Sequence, residues 1–216
     1  MILVIKNAIP TRAEPDVADR IVRRSLAKRE GDYADEVRRL LRAALDVMRR
    51  CGTATRPRVA DIVAAAGLSN EAFYRHFRSK DALVSAILED GAERLCSYLA
   101  HQMEKEATPE GRVRRWVEGV LAQADEEIAA TTLAVLWNGS SVGGGVAAGR
   151  HFASTPLASL LHEPFAVLGS ADPEFDAVLA AHATLGKLSD SLWQGTQPMP
   201  SEVAAVVAFC LAAVRR

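Results

Sequence analysis

Residues 59–83 read VADIVAAAGLSNEAFYRHFRSKDAL, and the pattern of these positions decides the fold. Val59, Ile62, Val63 and Ala66 share one side of a 3.6-residue period, which predicts a short helix over 59–66 with a single apolar face. Gly67 stops it, because glycine takes the left-handed conformation at a helix end without a Cβ clash. Leu68 fills the turn as an apolar plug, and Ser69 is placed to cap a second helix through its hydroxyl. Phe73 and Phe77, four apart, give that helix an apolar back. Ser79 then caps a further helix from Lys80 or Asp81, with Leu83, Ile87, Leu88 and Leu95 facing inward. Two short helices across a tight glycine turn are the sequence form of a helix-turn-helix.

Upstream, Val37, Leu40, Leu41, Ala44, Leu45 and Met48 predict a helix over 35–50, ended by Gly52. Arg38, Arg39, Arg42, Arg49 and Arg50 occupy its other faces. Residues 1–34 read as an arm. Its run Arg20, Arg23, Arg24, Lys28, Arg29 around Ile21, Val22 and Leu26 fits either a short basic amphipathic helix along DNA phosphates or a disordered tail. Residues 1–80 carry a net charge of +7 and the remainder −8, so the overall −1 conceals a basic half suited to nucleic acid and an acidic half facing something else.

Hydrophobic residues at 49% allow a buried core. Cys51, Cys96 and Cys210 stand far apart with no metal-ligand spacing, which predicts no metal site and reduced thiols in a cytoplasm. The apolar start, Met1–Ile9, is short and broken by Lys6, unlike a signal peptide, and no stretch has the length of a membrane span.

The run at 59–83 resembles the DNA-binding domain of TetR-family repressors. That family shows Ile-Ala-x-x-Ala-Gly-Val-Ser, then Tyr-x-x-Phe, then Ser/Asn-Lys-x-x-Leu. Ile62, Ala65, Ala66, Gly67, Leu68, Ser69, Tyr74, Phe77, Ser79, Lys80 and Leu83 stand here in register. The resemblance covers roughly residues 35–90; beyond that it rests on length and helical pattern. It implies an all-α protein with a three-helix DNA-binding domain at 35–82 and a helical ligand-binding and dimerisation domain at 83–216. It implies a sequence-specific transcriptional regulator, a repressor in the family's usual mode. Such a protein binds a palindromic operator in double-stranded DNA as a homodimer and is released by a small-molecule effector, here of unknown identity.

The same resemblance implies that Tyr74 and His76 donate hydrogen bonds to phosphates and that Lys80 adds charge near one. From its early place on the recognition helix Asn70 is expected to pair with adenine, and Arg75 to reach guanine or a phosphate, with Ser69 and Ala72 at the same surface. Two positions depart from the family pattern. Arg58 stands where a capping Thr or Ser is usual, and arginine has no acceptor to cap with. Glu71 stands where a small or neutral side chain is common; it either accepts from cytosine or points away from DNA.

Downstream, Thr108-Pro109 reads as a helix start, and further helices are predicted at 156–168, 173–192 and 201–214. The last two suit a dimer bundle. Ala177, Ala180, Ala181, Ala183 and Gly186 allow close approach, with Leu179, Leu185, Val207 and Leu211 along the seam. Trp116, Trp137, His151, His162, His182 and Trp193 are candidates to line an effector pocket. No cofactor and no catalytic group is expected. One enzyme signal competes: Gly139-Ser140-Ser141-Val142-Gly143 matches a serine nucleophile elbow, which requires a strand before it and a sheet around it. The other competitor is an architectural DNA-binding protein with weak sequence preference, against which the acidic second half counts.

Overall fold

The computed structural model describes residues 17–139 and 156–214. Helices α1 (Val17–Cys51), α2 (Val59–Ala66), α3 (Asn70–His76), α4 (Lys80–Met103), α5 (Pro109–Leu121), α6 (Glu126–Gly139), α7 (His162–Val167), α8 (Pro173–Gln194) and α9 (Pro200–Ala213) follow in order, with a 3-10 turn at Ala122–Ala124. There is no strand among the described residues.

The chain divides into two units, Met1–Arg39 and Leu40–Arg216. In the first, α1 is already helical from Val17, well ahead of the start expected at 35. The reason is composition. Between 17 and 51 there is no proline and a single glycine, Gly31, whose cost of about 1 kcal/mol is spread over a long helix rich in Ala, Leu and Arg.

The second unit holds two cores. One joins Leu40, Ala44 and Met48 of α1, Ile62 and Val63 of α2, Phe73 of α3, and Leu83, Val84 and Ile87 of α4. The other joins Leu99 and Met103 of α4, Trp116, Val117 and Val120 of α5, Phe165 of α7, Ala177, Ala181 and Leu188 of α8, and Val207 and Cys210 of α9. Two helices serve both. The first turns of α4 enter the first core and its last turns enter the second. On α6, Ala134 is buried in the first core while Ala129 and Leu133 pack against the second.

The helix ends explain the α2–α3 turn. Gly67 sits at φ 62°, its N–H donates to Ala64 O at 3.2 Å, and Leu68 N–H donates to Val63 O at 2.9 Å. These are the paired bonds of a Schellman cap, with Leu68 and Val63 in its hydrophobic contact. Gly67→Ala forces an L-residue into the left-handed region. It is expected to lower unfolding free energy by about 1–2 kcal/mol in urea titration; an unchanged midpoint contradicts this origin of the turn.

At the far end α9 is tied to α8 by one carboxylate. Glu202 accepts from Lys187 Nζ at 2.5 Å and from the Met199 N–H at 2.8 Å, which also caps the start of α9. The Lys187 hydrogen bond first, then that of Met199, holds the Glu202 carboxyl below its ordinary value of 4.5. A carboxyl depressed on folding contributes stability that is complete above the ordinary value and is lost as pH falls toward the folded one. Melting curves from pH 7 to pH 3 are therefore expected to fall less steeply below about 4.5 for Glu202→Gln than for the wild type; parallel acid limbs would sink the assignment.

Candidate nucleic-acid interface

A seven-residue helix shows its outer face only if its inner face is held. Phe73 supplies the anchor: it is fully buried, packs on Phe77 with ring centroids 5.8 Å apart, and meets Tyr74 edge to face at 5.2 Å. Ser69 Oγ accepts the Ala72 N–H at 3.1 Å, so this hydroxyl starts α3 as a cap. The residues left outside are Asn70, Glu71, Tyr74, Arg75 and Arg78, and His76 is half-buried. Their spacing places Asn70, Glu71, Tyr74 and Arg75 on one arc of the helix, the width of surface that a major groove admits. Tyr74 is 58% exposed, a large ring standing out from a polar face.

Ala72 differs from the rest of the expected interface. It is 5% exposed and turned inward, so the side chains around it, and not its methyl group, form the outer surface of the helix. Arg78 was not singled out in the sequence, where it lies past the Phe77 that ends the periodic pattern, yet it is exposed beside the same surface.

Arg58 does not cap α2 through its side chain. Instead Asp61, three residues on, reaches back: its Oδ2 accepts the Arg58 backbone N–H at 3.2 Å. This is one half of a capping box, with the acceptor supplied by the third helical residue alone. The Arg58 side chain is thereby left exposed. Lys80, at the first position of α4, donates from Nζ to Pro57 O at 3.3 Å and so pins the α1–α2 connection to α4. Over residues 58–80, Arg58, Arg75, Arg78 and Lys80 outnumber the carboxylates Asp61 and Glu71, which is the electrostatics a phosphate backbone requires.

The aromatic candidates fall into separate places. Trp116 is fully buried and donates from Nε1 to Leu157 O at 3.0 Å, a satisfied core residue. Trp137 and Trp193 meet edge to face with centroids 5.6 Å apart. His182 is exposed on α8, His162 is half-buried at the start of α7, and His151 lies outside the described residues. Ser140, Ser141 and Gly143 of the elbow motif also lie outside them, but the residues leading into it form α6, a helix through Gly139 and not the strand an elbow needs. Among the described residues no group of His, Cys, Asp or Glu is gathered to hold a metal, and none of their helices is long and apolar enough to cross a membrane.

Residues 40–87 match the family model for bacterial regulatory proteins of the tetR family. They are a TetR-family helix-turn-helix domain. The match begins at Leu40, the first buried residue of α1 among those whose burial is described. Solved structures share the fold over most of the chain. GusR of Salmonella enterica is 21% identical, with a TM-score of 0.62, covering 84% of this chain and 96% of that one. A TetR-family transcriptional regulator of Pectobacterium atrosepticum is 23% identical, with a TM-score of 0.56, covering 86% and 93%. One from Streptomyces coelicolor is 18% identical at 0.56, covering 84% and 93%. These likenesses show the fold. No curated protein matches the chain by sequence.

The outward Tyr74 and the inward Phe73 predict opposite outcomes on truncation. Tyr74→Ala is expected to leave the melting temperature nearly unchanged while weakening DNA binding about tenfold, the loss of one hydrogen bond to a charged group. Phe73→Ala is expected to cost about 3–5 kcal/mol of stability. Comparable melting losses in both variants would contradict the orientation of α3.

Proposed function

We propose that the protein is a homodimeric, sequence-specific transcriptional repressor of the cytoplasm, released from a palindromic operator by a small-molecule effector. The observation that carries the DNA-reading role is the exposed arc of Asn70, Glu71, Tyr74 and Arg75 on a helix anchored by a buried Phe73. In this role Asn70 and Arg75 read base edges in the major groove, and Tyr74, His76, Arg58 and Lys80 engage phosphates. Glu71 either accepts from cytosine N4 or stands clear of the backbone.

Dimerisation is supported by an apolar face left outside on α8 and α9. Phe175, Leu179, His182 and Gly186 line one side of α8, and Phe209 stands 50% exposed on α9 among Ala205, Ala208 and Ala212. Ala183 and Leu211 flank that face half-buried, while Val207 belongs to the protomer's own core. A two-fold dimer through this face matches the two-fold symmetry of a palindrome. Effector release then requires unequal affinity for two dimer geometries; Trp137 and Trp193 are the aromatic groups available to such a ligand.

Selection of bound sites from a random duplex pool tests the proposal. An inverted repeat is expected, with binding to it weakened in Tyr74→Ala and Lys80→Ala. A pool with no enriched sequence at moderate salt overturns the sequence-specific role.

A further inference from the structure

We propose that Trp137 clamps the α1–α2 connection to the C-terminal end of α8, forming a mechanical link between the DNA-reading head and the face assigned above to dimerisation. Three elements meet on this one ring. The Arg56 guanidinium lies 5.6 Å from its centroid, in cation–π range. Trp193 of α8 abuts it edge to face at 5.6 Å and 79°. The ring itself is carried by the last turn of α6.

That turn cannot drift. Ala134, one turn earlier, is 1% exposed within the first core. Gly139, two residues later, lies so close to α4 that a Cβ there would stand 2.6 Å from Leu88 Cδ1. Trp137 is therefore fixed to the reading head from below, and Trp193 reaches it from the other core.

On the opposite side, the contact leads straight into the DNA-facing residues. Arg56 precedes Pro57, which is buried and whose carbonyl accepts from Lys80 Nζ at 3.3 Å. Arg58 follows, opening α2 with its N–H on Asp61. Trp193, Trp137, Arg56 and Pro57 thus form a continuous chain of contacts, with Lys80 and the start of α2 hanging from its end. On α8 the exposed residues Phe175, Leu179, His182 and Gly186 run at helical spacing toward Trp193. A displacement of α8 that draws Trp193 off the ring removes one of the contacts that set its orientation against Arg56. Coupling of this kind travels through packed side chains that have two arrangements.

The link takes its regulatory meaning from the DNA-reading role proposed above, but its test needs no DNA. Amide hydrogen exchange is measured on the full chain for the wild type, Trp193→Ala, Arg56→Ala and the double variant, reading the peptide over residues 58–66. Because Trp193 is 55% exposed, its removal is expected to leave the melting temperature close to wild type. Exchange at the start of α2 is expected to quicken about two- to fivefold, the worth of one exposed cation–π or aromatic contact. Arg56→Ala is expected to do the same, and the double variant to exchange no faster than the faster single one. Trp193→Phe, which keeps a ring edge, stays near wild type. Trp193→Leu, which has bulk without a ring, reproduces the alanine result should that variant be unstable. Unchanged exchange over 58–66 in Trp193→Ala, or effects that multiply in the double variant, overturns the link. If no operator emerges from selection, the exchange result stands by itself; if one emerges and the exchange coupling is missing, the link alone fails.

Discussion

The outward face of α3 rests on the burial of Phe73. A seven-residue helix has too few internal hydrogen bonds to persist alone in water. It exists because one ring is sunk between α1, α2 and α4, where a fully buried aromatic contributes on the order of 2–3 kcal/mol. With that ring in place, the helical repeat alone determines which residues stand outside. Asn70, Glu71, Tyr74 and Arg75 face outward because Phe73 faces in, and Ala72 is buried for the same reason.

A second constraint is how the small reading head is joined to the larger core. A short helix-turn-helix supplies little apolar surface, and here it borrows from two longer helices. The early turns of α4 complete its floor, and Ala134 of α6 closes one side. Both helices continue into the second core, so the head is built on the same struts as the domain behind it. The α1–α2 connection, which carries Arg58, is held by Lys80 from α4 and by Trp137 from α6. The residues around Arg58 and Lys80 are therefore joined to the second core by continuous helices rather than by a flexible linker.

Much of this was legible in the residues. The turn at Gly67, the caps at Ser69, Ser79 and Thr108, and the inward pair Phe73 and Phe77 obey local rules that depend on a few neighbouring positions. The cap at Asp61 was legible in principle, since it stands three residues after Arg58 in the capping-box position. What was not legible depends on partners distant in sequence. The apolar residues of α6 do not reveal that neighbouring ones serve different cores. Val207 and Leu179 are both apolar and both on the last long helices, yet one is 3% exposed and the other 42%. Periodicity places a residue on a face but not which neighbour covers that face. The meeting of Arg56, Trp137 and Trp193 spans more than a hundred positions, and no spacing rule reaches that far. The length of α1 escaped for another reason: mixed charges suggested an arm, while helix propensity and the absence of proline carried the helix back to Val17.

The central claim is that α3 reads sequence rather than merely gripping phosphate, and one comparison decides it. Affinity is measured at a single physiological salt concentration for the duplex recovered by selection and for a duplex of the same composition in shuffled order. Specific readers favour their site by about a thousandfold or more, and a ratio of that order is predicted here. A ratio near one, with affinity that falls steeply as salt rises for both duplexes, would contradict the account and leave a protein that binds DNA by charge alone.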